Sequence, residues 1–193
     1  MKQDFGNLLK SAFESGYSNA SLSLSQMIND QIKFNSFLAG SYKLNSEEFT
    51  TNTNDNHHGS RFLLTTEIFG DTSGKSYLIL SDDEFKILTG SIPDSRDPNI
   101  NLKEEFIKEM DNILSASVIT KLSDQLNRKM YGDVPILVGK VNGKIEDIIY
   151  DDFSEQTEEV YINSMFFSFE NHPSVNPVFI WVIDVEVESM KEM

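Results

Sequence analysis

Residues Lys103–Pro135, KEEFIKEMDNILSASVITKLSDQLNRKMYGDVP, decide the fold. The stretch reads as one long helix, a turn and the first residues of a strand. Asn101 stands before it as a cap, with Glu104 three residues on as the other half of a capping box. No proline or glycine interrupts it before Gly132, which with Asp133 makes a turn. Ile107, Met110, Leu114 and Val118 gather on one side of such a helix. Glu105, Glu109, Asn112 and Ala116 gather on the other. The first face is built for burial. The second is a polar strip with a small residue beside it, where a partner can come close. Glu109 and Asn112, at i and i+3, are neighbours on that strip.

At these residues the chain resembles the CheC/CheX/FliY phosphatases of bacterial chemotaxis. The signature of that family is an Asp or Ser, three residues, a Glu, two residues, an Asn, then a gap of 22 residues to a Pro. Here Glu109-Met110-Asp111-Asn112 supplies the Glu and Asn, and residues 113–134 separate Asn112 from Pro135. Two positions depart from the pattern. Glu105 stands where the family has Asp or Ser, and Asp111 where a glycine is common, a change that bears on how tightly the helix lies on its sheet. The resemblance implies a phosphatase acting on the aspartyl phosphate of a CheY-like receiver domain. Glu109 and Asn112 would be its catalytic pair, with Glu105 and Ala116 as partner contacts. It implies no cofactor of the protein's own, since the Mg²⁺ and an active-site lysine belong to the receiver. Phosphoryl transfer then asks mainly for positioning. An Asn amide can both donate to and accept from the attacking water, and Glu109 would pair with the receiver's lysine. The competing reading is a binding module that docks a receiver or a flagellar-switch component without hydrolysis.

Composition sets the outer bounds. The 193 residues are 39% hydrophobic and 24% charged, with a net charge of −15, enough for a single domain with a real core. So acidic a chain argues against nucleic-acid and anionic-membrane surfaces, which need basic patches. Cysteine is absent, which removes disulfides, thiol nucleophiles and Cys-ligated metals. No apolar run reaches membrane-spanning length, and Met1–Lys10 lacks the apolar core of a signal peptide. A cytoplasmic protein is the default expectation, with a homodimer possible. His57-His58 and His172 read as loop histidines. The acidic clusters Asp82-Asp83-Glu84 and Asp151-Asp152 read as a helix start and a solvated loop.

The rest of the chain predicts a helix over 6–32, broken or kinked near Gly16, and a strand over Ser36–Leu44. An exposed loop follows over 45–60. Arg61–Phe69 and Ser76–Leu80 read as a hairpin, and Ser81 and Glu84 as a capping box opening a short helix. After Pro135, Asn142-Gly143 predicts a second hairpin, with Ile145–Ile149 as its return strand and 151–159 as a loop. Val160–Phe169 and Val178–Val187 are β-branched and aromatic strands.

Ser25-Gln26-Met27-Ile28-Asn29 aligns with Ser123-Asp124-Gln125-Leu126-Asn127, 98 residues apart, and the same shift sets Leu38 on Ile136 and Phe62 on Val160. The expected class is therefore α+β, a duplicated helix-plus-three-strand unit with pseudo-twofold symmetry. Its sheets are expected to be mainly antiparallel and flanked by long helices. The repeats would span about 6–90 and 101–188, joined by the linker 91–100 in one domain over 1–193. The shift carries Glu109 and Asn112 onto Ser11 and Glu14, so the first repeat lacks the pair.

Overall fold

The computed structural model describes residues 2–44, 60–153, 157 and 159–184. Residues 45–59 of the predicted loop, with His57 and His58, therefore lie outside the described residues, as do residues 185–187 of the last predicted strand. Helix α1, Lys2–Ile28, runs through Gly16 without a break, against the expectation of a kink there. Gly16 serves contact instead of bending. A Cβ on it would lie 2.7 Å from Val118 Cα and 2.9 Å from Val118 Cγ2 of the second long helix, α3, Leu102–Leu126. The two helices touch at backbone distance, and only glycine fits.

Both helices stop in one way. Asn29 and Asn127 turn left-handed, with φ of 56° and 51°. The next N–H in each case reaches back to a serine carbonyl, Asp30 to Ser25 at 3.3 Å and Arg128 to Ser123 at 3.1 Å. This is a Schellman-type ending, with asparagine taking the place usually held by glycine. Helix α3 thus ends at Asn127 and not at Gly132, and α1 ends four residues before the expected point. These caps are the residues that the 98-residue shift aligns.

Among the described residues, seven strands form one antiparallel sheet: β1 (Ile32–Lys43), β2 (Arg61–Gly70), β3 (Gly74–Ser81), β4 (Met130–Gly132), β5 (Ile136–Val141), β6 (Glu159–Phe169) and β7 (Val178–Asp184). The order is β1–β6–β7–β3–β2, with β4 and β5 both along the outer edge of β2. Leaving β4 aside, the order reads alike from both ends: a strand after a long helix, then a hairpin, then the other hairpin and its own outer strand. The predicted first hairpin is present, Arg61 facing Ser81 and Ile68 facing Gly74. So is the capping box of Ser81 and Glu84, which opens α2, Asp82–Leu88.

The second predicted hairpin is not. Ile145–Phe153 is a helix, α4, in place of a strand and a loop. As a strand, the face carrying Ile145, Ile149 and Phe153 would also bury Asp147 and Asp151. As a helix it buries the three apolar residues and leaves both aspartates exposed.

The central strands β2, β3, β6 and β7 are buried on both faces, and the outer strands β1 and β5 are largely exposed. Leu64, Leu78, Phe167 and Trp181 face α1 and α3, whereas Leu63, Tyr77, Ile162 and Ile180 face α4. Leu9, Phe13 and Leu24 of α1 are fully buried. Each contributes about 1.5–3 kcal/mol, together comparable with the whole net stability of a domain. Helix α1 therefore cannot leave the sheet without unfolding it. No described helix is long and apolar enough to cross a membrane.

The helix contact makes a prediction. Gly16→Ala gains about 1 kcal/mol in helix propensity, but forces a methyl group into the Val118 backbone. Overpacking costs about 1–3 kcal/mol, so urea unfolding should show a net loss of up to about 2 kcal/mol once the helix gain is subtracted. An equal or more stable variant would mean that the helices are not in contact there.

Candidate functional site

Helix α3 presents the predicted strip. Asn101 caps it, its side chain accepting from the Lys103 and Glu104 N–H groups. The reciprocal half of the box differs from expectation: Glu104 Oε1 receives the Asn101 side-chain amide at 2.7 Å in place of the backbone N–H. Beside the cap, Lys103 binds Asp94 at 2.8 Å and holds that carboxyl below its ordinary range. Ile107, Met110, Leu114 and Val118 are buried, and Glu105, Glu109, Asn112 and Ala116 are exposed on the other side.

The strip is open and largely uncommitted. Glu105 pairs with Lys108 at 2.8 Å. The Asn112 amide lies 3.4 Å from Glu109 Oε2, a long contact that sets the two side by side without locking them. A carboxylate and an amide, carried on a rigid helix and free to turn outward, can together meet a cation and orient a water. On α1, Ser11 and Glu14 are likewise exposed.

Under the strip is a residue whose role the sequence did not disclose. Asp111 is 1% exposed. Its Oδ2 accepts from the Thr66 hydroxyl of β2 at 3.1 Å, and its Oδ1 from the Ser115 hydroxyl at 3.2 Å. Burial pushes its carboxyl up to about 7, opposed by those two hydrogen bonds. The signal was present: Asp111 is four residues from Ile107 and four from Ser115, on the inward arc.

Other acidic and histidine positions are accounted for locally. Asp152 belongs to α4 and not to a loop, and accepts from Tyr77 Oη at 2.7 Å and Lys75 at 3.1 Å. Asp82 meets Lys140 at 2.7 Å. His172 is exposed in the turn between β6 and β7. Tyr161, Phe167, Phe169 and Trp181 are core, and Phe166 stacks on Phe37 at 6.2 Å. Among the described residues, no group of three or more His, Asp or Glu converges as a metal site would.

No protein-family model matches the sequence, and no curated protein matches it significantly. The fold is another matter: the chain has the architecture of the CheC/CheX/FliY chemotaxis proteins over nearly its whole length. FliY of Thermotoga maritima is similar at a TM-score of 0.62 and 18% identity, over 98% of this chain and 92% of that one. The FliM middle domain of Vibrio alginolyticus gives 0.57 and 10% over 96% and 98%. The CheX–CheY–BeF3–Mg²⁺ complex of Borrelia burgdorferi gives 0.52 and 15% over 89% and 97%.

Asp111 links stability to pH. Its folded value of about 7 lies above the ordinary 3.8, so between those values the folded chain holds a proton that the unfolded chain releases. Stability from this group is full below about pH 4, falls by up to about 1.4 kcal/mol per pH unit as pH rises, and levels off above 7. Asp111→Asn should remove this slope. The measurement is urea unfolding from pH 4 to 8 on both proteins, and parallel curves would refute the assignment.

Proposed function

We propose that this protein docks a CheY-like receiver domain through the exposed face of α3 and hydrolyses its aspartyl phosphate. The observation that carries the reading is the exposed Glu109–Asn112 pair on a rigid helix, at the family's spacing from Pro135, in a chain with the fold of CheX, which has been seen in complex with CheY. The acyl phosphate is already labile, and what it lacks is a water in line with phosphorus. Asn112 orients that water, both donating and accepting. Glu109 pairs with the receiver's lysine and fixes the register of the helix. Glu105 and Ala116 line the contact. The chain supplies no cofactor in this scheme, and the Mg²⁺ is the receiver's.

The second reading is docking without hydrolysis. What favours it is Glu105, an acidic side chain one methylene longer than the aspartate the motif allows, already engaged by Lys108. The lifetime of a receiver's acyl phosphate, with and without this protein, separates the two.

Within the first reading, Asn112→Ala should lower the dephosphorylation rate on the order of 10²-fold and leave the fold intact, since alanine is the better helix former. Glu109→Ala should weaken both binding and rate. A fully active Asn112→Ala protein would sink the mechanism.

The equivalent positions on α1 serve as the internal control. Serine cannot replace the carboxylate that meets the lysine, and an ionised Glu14 cannot donate to the water. Ser11→Ala with Glu14→Ala should stay within about twofold of wild type, with one receiver bound per chain in a calorimetric titration. Two receivers per chain would mean that both helices carry working sites.

A further inference from the structure

We propose that Asp111 is a positioning residue for the Glu109–Asn112 pair: its buried carboxyl group, held by Thr66 of β2 and Ser115 of α3, fixes the rotation of α3 on the sheet and so the direction in which the pair points. The inference deepens the proposed function and rests on it for its kinetic consequence, but not for its geometry.

The apolar stripe and the Gly16–Val118 contact set which face of α3 is buried, but burial is not directional and leaves small rotations weakly specified. Hydrogen bonds are directional. Asp111 lies about 130° around the helix from the midpoint of Glu109 and Asn112, at 100° per residue. A turn of α3 about its axis that moved the pair would break the bond across to Thr66. The neighbouring contact is also close: a Cβ on Gly132 of β4 would meet Ile119 Cδ1 of α3 at 2.7 Å. Stability alone does not explain the carboxyl group. An apolar side chain of similar volume fills a buried site at lower cost than an acidic one, and Ile107, Leu114 and Val118 already supply the anchoring.

The seat also changes charge near neutrality, since burial carries the Asp111 carboxyl up to about 7. The facing groups are the hydroxyls of Thr66 from β2 and Ser115 from α3. Along β2 the neighbouring Glu67 pairs with Lys75; along α3 Glu109 is exposed on the outer strip, and Lys108 pairs with Glu105. Asp133, just beyond β4, is exposed. The protonated acid keeps both hydroxyl partners, because a hydroxyl can donate or accept. The ionised form is the one that the apolar surroundings oppose.

The test follows the Asn112 side-chain amide by NMR in the full chain from pH 6 to 8.5, alongside dephosphorylation of a phosphorylated CheY-like receiver. In wild type the amide resonances should move with one midpoint near neutral pH, and kcat should fall about threefold or more across it. Asp111→Asn mimics the protonated acid. It should abolish the midpoint and hold kcat within about twofold of the low-pH wild-type value throughout. Asp111→Ala should lower kcat about tenfold with the helix content unchanged. Should it fail to fold, Thr66→Val, which keeps shape and removes one donor, should shift the amide and lower kcat about threefold. An Asn112 amide indifferent to pH, and to Asp111→Asn and Thr66→Val, overturns the proposal. An amide that responds as expected in a protein that never accelerates hydrolysis sustains the positioning role and removes the phosphatase reading.

Discussion

The backbone contact between Gly16 and Val118 is the constraint on which the helical layer depends. Two helices of more than six turns must lie side by side on one sheet face, and side chains of ordinary size at the crossing would hold them apart. With a glycine there, both reach the sheet. Phe13 of α1 can then stack on Tyr161 and lie tilted against Trp181 of the strands, with ring centroids 6.0 and 5.7 Å away. Helix α3 is thereby clamped from the side by α1 and from below by β2 and β4. What remains outward is the strip bearing Glu109 and Asn112. Its exposure is the residue of everything else being buried.

Much of this was legible in the chain. The α3 face pattern, the Arg61–Ser81 hairpin and the Ser81 capping box follow local rules, and the structure repeats them. What escaped the reading at Gly16 and Asp111 was a distant partner, and at Ile145–Phe153 a choice between two periods. Gly16 breaks a helix by propensity but is retained in one because Val118 lies against it. Ile145–Phe153 fits a strand period or a helix period equally, and only the cost of burying Asp147 and Asp151 decides. Asn142-Gly143 still turns the chain, with Gly143 at φ 114°, but it delivers a helix. Asp111 was visible as a polar residue on an apolar arc, yet its bond to Thr66, 45 residues away, could not be seen from spacing.

The site divides in the same way. That Glu109 and Asn112 share a face is helix arithmetic and needs no structure. That they stand apart by 3.4 Å, uncommitted, while the carboxyl group beneath them is fully committed, is a property of packing. The sequence shows which groups are available, and the sheet decides which one is spent on holding the helix.

The strand order has a consequence for how the chain is made. Strand β1 finds its ladder on β6, Ile32 lying opposite Phe169, while β5 returns to pair with β2. Each of these outer strands pairs with a hairpin from the far part of the chain. During synthesis β1 must therefore wait through more than a hundred residues before its partner exists, carrying Phe34 and Phe37 unpaired. Folding of this sheet is a late event, gated by the emergence of the last hairpin, and the chain has no natural point at which it can be cut into two working pieces.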